Sequence, residues 1–204
     1  MIRRLEFHEA KLAREVAELH CEHITGGVLG ILGPRFLGTL YRYIAASPVA
    51  AVWVDLDRGE LRGFICGCSD DKQMFRQVLT RGFVRLASAG LLALGRKGVL
   101  SGVISTVRVL VGPDAGENQP RAQLLSIAVS EKHRRKGIAS VLIHELHRQF
   151  VDWRVQRALV WTTDTNLAAL GLYRAHGYVD AFTVAHSPED MVGLVRENKT
   201  NLGR

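Results

Sequence analysis

The stretch Ser126–Leu146, SIAVSEKHRRKGIASVLIHEL, runs a β-branched apolar segment into three consecutive cations and a glycine, then into a run with helical character. A helix leaves its first N–H groups unpaired, and its dipole places partial positive charge at that end, so backbone donors there can hold a phosphate. Gly137 suits that use, because without a Cβ it lets anionic oxygens approach the backbone closely. Arg134, Arg135 and Lys136 add full charges at the same point. Together they make a candidate anion site; the plain alternative is a basic, solvated strand-to-helix corner. Other phosphate motifs do not compete, since neither G-x-x-x-x-G-K-[ST] nor a G-x-G-x-x-G after a strand occurs.

Working outward toward the C-terminus, the pattern predicts a strand at about 123–129, a helix at 137–150, a strand at 158–163, a helix at 166–176 and a strand at 178–185, closed by the alternation MVGLVRE. Toward the N-terminus, IRRLEF reads as a short strand, and a helix follows with Leu12, Val16 and Leu19 at helical spacing. A glycine-rich break, TGGVLGILGP, precedes a second helix with Phe36, Leu37, Leu40, Tyr41 and Ile44 on its apolar side. Two apolar runs flank Asp57-Arg58-Gly59 and predict a β-hairpin. Strands and helices alternating in this way imply an α/β or α+β sheet covered by helices.

From Lys72 to Pro113 there are seven basic residues and no acidic one. Gln73, Gln77, Arg81, Arg85 and Ser88 recur at helical spacing against Phe75, Leu79 and Leu86, which predicts a basic amphipathic helix, with a second after Gly98. The charge-free runs beside Arg96 and Lys97 are about ten residues each, against the ~20 needed to cross a bilayer.

Composition narrows the class. At 204 residues, 47% hydrophobic and without low-complexity tracts, the chain suits one globular domain. The net charge of +7 implies an anionic partner, whether nucleic acid, membrane surface or phosphorylated ligand. Charges recurring through MIRRLEFHEAKLAREVAELH exclude a secretory core there, so a cytoplasmic protein is expected. Cys21, Cys66 and Cys68 fit neither a disulfide framework nor a zinc spacing and read as small apolar residues. His20 with His23, and His144 with His147, have i, i+3 spacing but no third ligand, and read as surface histidines. Trp53, Trp153 and Trp161 read as packing residues, with no basic-aromatic interleaving for nucleic acid.

Arg134-Arg135-Lys136-Gly137-Ile138-Ala139 resembles the R/Q-x-x-G-x-G/A acyl-CoA-binding motif of the GNAT superfamily of N-acyltransferases. NLAALGLYRAHGY, with Asn166, Ala169, Leu172, Tyr173, Gly177 and Tyr178, resembles that family's N-x-x-A-x-x-L-Y-x-x-x-G-F/Y. The motif-bearing resemblance covers about 123–178. It implies one α+β domain spanning 1–204, with a mixed, mostly antiparallel central sheet, helices on both faces and a basic helical insertion at about 71–120. It further implies acetyl-CoA, or another short acyl-CoA, as acyl donor, a primary amine as acceptor, and no metal. By resemblance, backbone groups of Ile127, Ala128 and Val129 pair with the pantetheine arm, and N–H groups from Arg135 through Lys136, Gly137, Ile138 and Ala139 to Ser140 hold the pyrophosphate. Asn166 and Tyr173 line the thioester side, with Ala169 in the same block and Tyr173 the candidate acid for the departing thiolate.

Such chemistry needs little covalent machinery, because holding an amine beside a thioester removes much of the barrier to bimolecular attack. The attacking amine must be neutral, and a lysine-type amine of pKa ~10.4 needs a proton acceptor or a water chain at neutral pH. Some family members carry a glutamate on the fourth strand; QLLSIAV has no carboxylate. Glu22 and His23 are the candidate substitutes, a solvated helix end being the plain reading of both, and Ser126 could position a water. The acceptor class stays open among amino sugars, polyamines, amino acids and protein amines, an anionic acceptor being compatible with the basic segment. A peripheral membrane contact through 72–113 and a homodimer also stay open. The competing function class is a non-catalytic basic module that binds an anionic membrane surface or nucleic acid.

Overall fold

In the computed structural model, residues 1–24, 33–91, 118–185 and 189–198 are described, those of 83–91 as backbone only. Seven strands form one sheet in the order β1-β2-β3-β4-β5-β7-β6. They are β1 (Ile2–Arg4), β2 (Ala50–Asp57), β3 (Glu60–Cys68), β4 (Ala122–Val129), β5 (Arg157–Thr163), β6 (Val179–Val184) and β7 (Met191–Glu197). Every pairing is antiparallel except β4 with β5. The α-helices among the described residues are α1 (Ala10–His23), α2 (Gly33–Ala45), α3 (Asp71–Leu91), α4 (Ile138–Asp152) and α5 (Leu167–Ala175). None of them is long and apolar enough to cross a membrane.

The expected hairpin is present, and its turn is shorter than the sequence suggested. Asp57 and Glu60 are already paired, leaving Arg58 and Gly59 as a two-residue loop, both with positive φ (49° and 84°). A turn with two left-handed residues matches the right-handed twist of its strands.

Two cores sit on opposite faces of the sheet. Val16, Leu37, Tyr41, Ile44, Met74 and Val78 from α1, α2 and α3 pack with Val52, Val54, Phe64 and Cys66 on one face. Leu142, Ile143, Leu146 and Phe150 of α4 and Leu170 and Tyr173 of α5 pack with Ile65, Leu124 and Val160 on the other. Gly67 lets α4 lie close to β3, since a Cβ there would stand 2.6 Å from Leu146 Cδ1 and 3.0 Å from the Gln123 carbonyl oxygen.

The long connection from β3 to β4 leaves and returns at neighbouring points, because Cys68 is paired with Gln123. Asp71 clasps the two ends: its N–H donates to the Arg121 carbonyl (3.0 Å), and its carboxylate accepts from Gln123 Nε2 (2.9 Å). Within α3 the buried stripe is Met74 and Val78, whereas Leu79, expected on the apolar side, is 44% exposed. The second helix expected after Gly98 and the TGGVLGIL part of the glycine-rich break lie outside the described residues.

Candidate functional site

The N-terminus of α4 is shaped by two left-handed residues, Arg135 (φ 62°) and Gly137 (φ 76°), which follow a single 3-10 turn, Glu131–His133. Gly137 caps the helix without a side-chain bond, and the first helical donor is the Val141 N–H, to the Gly137 carbonyl (3.1 Å). The N–H groups from Arg135 to Ser140 therefore take no backbone acceptor among the described residues. They border a cavity of about 220 Å³ lined by Val129, His133, Arg134, Gly137, Ser140 and Leu172, among others. A Cβ built on Gly137 meets nothing within 4 Å, so the left-handed backbone, not crowding, demands glycine there. Unpaired donors at a helix dipole's positive end, with Arg135 and Lys136 exposed beside them, are the physical requirements of a phosphate cradle. Arg134 is engaged elsewhere: its guanidinium donates to His23 Nδ1 (3.0 Å) and more weakly to the Val129 carbonyl (3.4 Å).

The second feature is a parting of strands. β4 and β5 pair only at Ala122 with Ala158, Gln123 with Leu159, and Leu124 with Val160. Beyond that point β4 keeps β3 on its other edge but has no β5 partner, and β5 stays paired with β7 along its whole length. Leu125 is bulged, since Cys66 pairs with Ser126 and Gly67 with Leu124, and a bulge sharpens local twist. Backbone groups of residues 125–129 thus face an open fork, which leads from Leu124 to the cavity at Val129.

A family profile described as the acetyltransferase (GNAT) family matches residues 31–178, well over half of the chain. The chain belongs to that family. Among solved structures, a GNAT-family acetyltransferase from Streptococcus pneumoniae shares its fold with a TM-score of 0.60 at 16% identity, over 97% of this chain and 98% of that one. Ard1 from Thermoplasma volcanium gives 0.60 at 16% identity, over 97% and 96%. Naa20 from Chaetomium thermophilum, in complex with a bisubstrate analogue, gives 0.58 at 17% identity, over 100% and 90%. In sequence, human N-acetyltransferase 8B is 30% identical over 76 residues, 37% of this chain; the match spans about a third (34%) of that protein's length.

Within this GNAT chain the remaining sequence-predicted residues fall into three places. Tyr173 is buried (5% exposed), edge-on to Tyr178 at 5.9 Å, and its hydroxyl has no hydrogen-bond partner among the described residues. Burial pushes its pKa well above the usual 10. Asn166 caps α5, its side-chain oxygen accepting from the Ala169 N–H (3.1 Å). Glu22 and His23 close α1 on the far side of the cradle, Glu22 being exposed and 3.8 Å from His23 Nε2. Arg134 can only donate, so His23 Nδ1 is the acceptor in that contact, while Nε2 is a buried atom with no hydrogen-bond partner among the described residues.

Two histidines expected at the surface are buried. His20 (4% exposed) meets Tyr41 Oη through Nδ1 at 2.7 Å, and His147 (8% exposed) meets Tyr178 Oη through Nε2 at 3.2 Å. Burial pushes His20 down to about 4. It pushes His147 to about 3, helped by Arg196, His176 and His144 nearby. No group of three histidine, cysteine or acidic side chains among the described residues could hold a metal ion.

Sequence reasoning missed one connection. Tyr41 Oη also meets Ser126 Oγ (3.0 Å), so His20, Tyr41 and Ser126 form a chain of hydrogen bonds from α1 through α2 to the open part of β4. The residues lie 21 and 85 positions apart, so no local pattern signals them. Cys66 lies opposite Ser126 in the β3–β4 ladder, and burial pushes its thiol up to about 12, so it stays protonated. A separate, shallow concavity beside α1 carries Glu15, Glu18, Glu22, Glu60 and Glu131 with Lys132. Three of these carboxylates are ion-paired, Glu15 with Lys11, Glu18 with Arg14 and Glu60 with Lys132, which marks a solvated, salt-bridged face.

Proposed function

We propose that this protein transfers a short acyl group, acetyl in the simplest case, from acyl-CoA to a primary amine by direct attack in a ternary complex. The observation that carries the reading is the fork between β4 and β5 running into the unpaired N-terminus of α4. An extended amide-bearing arm needs an open strand edge, and a pyrophosphate needs a cluster of N–H donors; the chain has both, end to end. The donors from Arg135 to Ser140 bind the pyrophosphate, with Arg135 and Lys136 supplying charge. The edge at Ile127–Val129 orients the arm, and the thioester comes to rest near Ser126 at the base of the fork.

Acyl-CoA supplies a thioester whose thiolate, of pKa ~8.5, leaves without strong acid assistance. Tyr173, with its pKa raised by burial, stays protonated and serves the sulfur as a hydrogen-bond donor rather than as a full proton source. The buried, hydrogen-bonded His20 and His23, whose Nδ1 is taken up by the Arg134 guanidinium, are poorly placed to act as bases, so the amine proton leaves through water. The acceptor lies among amino sugars, polyamines, amino acids and protein amines; if the basic segment covers the acceptor cleft, exposed Arg76 and Arg81 on α3 favour an anionic one.

Calorimetry with acetyl-CoA, followed by free-CoA release over an amine panel, tests the reading. Saturable binding with amine-dependent release is expected. No binding to acetyl-CoA, together with binding to anionic vesicles or nucleic acid, would replace it with a non-catalytic basic module.

A further inference from the structure

The chain of Ser126, Tyr41 and His20 is sealed at one end and open at the other. Tyr41 is 3% exposed and His20 4%, while Ser126 keeps partial contact with solvent on the segment of β4 that β5 has left. The sealed end is packed by an aromatic ring: Phe64 lies 6.4 Å from the His20 ring, stacked, and 5.4 Å from Tyr41, edge-on. Two buried polar side chains stand behind one serine hydroxyl, where phenylalanine and leucine would pack without needing hydrogen-bond partners. Their placement is asymmetric with respect to the fork. Tyr173 packs on the α4–α5 face of the sheet, and Ser126 turns its hydroxyl to the α1–α2 face.

We infer that Ser126 is the residue that holds the attacking amine, and that Tyr41 and His20 are positioning residues that fix its hydroxyl as an acceptor. The inference rests on the acyl-transfer reading and names the part of the chain that orients the nucleophile. In the tautomer in which neutral His20 accepts at Nδ1, Tyr41 is the donor to it, and the Tyr41 oxygen then accepts the Ser126 proton. With its proton given to Tyr41, the part-exposed Ser126 oxygen keeps acceptor capacity for an amine N–H. Holding one N–H there points the nitrogen lone pair at a thioester in the fork, from the face opposite Tyr173. The nitrogen–carbon bond forms, the carbon–sulfur bond breaks, the thiolate leaves with the electron pair, and the surplus amine proton goes to water. Ser126 forms no covalent bond. An amine acceptor can thus be oriented without a carboxylate on β4, which QLLSIAV lacks.

The test uses the full chain with acetyl-CoA and hydroxylamine, a nucleophile small enough for any acceptor pocket, and reads acetohydroxamate. Ser126→Ala is expected to lower kcat about 10- to 100-fold, with the acetyl-CoA dissociation constant and KM within about twofold of wild type. Tyr41→Phe, which keeps the ring packing, is expected to give a similar loss, and the double variant no more than the larger single loss, because both cut one chain. Ser126→Thr, which keeps the hydroxyl, recovers most of the activity and carries the comparison with Ser126→Ala if Tyr41→Phe does not fold. Unchanged kcat in folded Ser126→Ala overturns the inference, as do losses that multiply in the double variant. A wild-type protein that binds no acetyl-CoA, or forms no acetohydroxamate above the rate in buffer, overturns the acyl-transfer reading itself.

Discussion

Acid should destabilise this protein well before its carboxylates titrate, because two buried histidines refuse a proton that the unfolded chain accepts. His20 is pushed from 6.5 to about 4 and His147 from 6.5 to about 3, in both cases chiefly by burial. As pH drops below 6.5 the unfolded chain binds up to two more protons than the native one, so stability falls as pH falls, through a window from 6.5 to about 4 for His20 and to about 3 for His147. Each group contributes a slope approaching ~1.4 kcal/mol per pH unit inside its window. Between pH 7 and pH 5 the two together remove about 3 to 4 kcal/mol, a large share of a typical ~5–15 kcal/mol. His176, lowered by burial and by His144 and Arg196, acts in the same direction, and Asp71, raised by burial, opposes it as its carboxyl protonates. Urea unfolding of wild type and His147→Gln at the two pH values is the assay. The variant keeps a polar partner for Tyr178 and should lose only about half as much stability as wild type over that interval. A wild-type loss below about 1 kcal/mol, or a variant with the full wild-type slope, would refute the linkage argument.

Gly137→Val places a β-branched residue at φ 76°, which costs about 1–3 kcal/mol, and puts bulk where the phosphate cradle opens. A lowered Tm and at least roughly tenfold weaker acetyl-CoA binding are expected, and unchanged affinity by calorimetry would remove the phosphate assignment. Tyr173→Phe should leave acetyl-CoA binding intact and lower single-turnover acyl transfer about tenfold, the worth of one hydrogen bond to the sulfur; a wild-type rate would rule the hydroxyl out. Reversing the charges of exposed Arg76 and Arg81 should raise KM for anionic amines and leave that for neutral ones. An equal effect on both acceptor classes would sink the electrostatic idea.

The local half of the architecture was legible in the chain. The stretch from β4 through α4 announces itself by a change of period around a glycine that must take positive φ, and the hairpin does so through Arg58 and Gly59. Both depend on residues within a few positions of each other, where φ preferences and hydrophobic period act directly. The parting of β4 from β5 was not legible from the residues themselves. It arises from register between strands separated by α4 and from a bulge at Leu125, which looks like any other apolar residue in QLLSIAV.

The histidines show a different kind of loss, because their signal was present and read against the wrong template. Paired at i, i+3, His20 with His23 and His144 with His147 look like incomplete metal sites. Set against the apolar stripes instead, His20 continues Ala13, Val16 and Ala17, and His147 continues Ile143 and leads to Phe150, each at three- or four-residue steps. That spacing puts one member of each pair into a core and leaves the other outside the buried stripe. A titratable side chain on a buried stripe must find a partner or stay neutral, and both do: Tyr41 and Tyr178 supply the partners, and burial keeps the rings neutral. The consequence runs from sequence to site, since a histidine buried on α1 needs a hydroxyl on α2, and that same hydroxyl reaches Ser126 where β4 stands open.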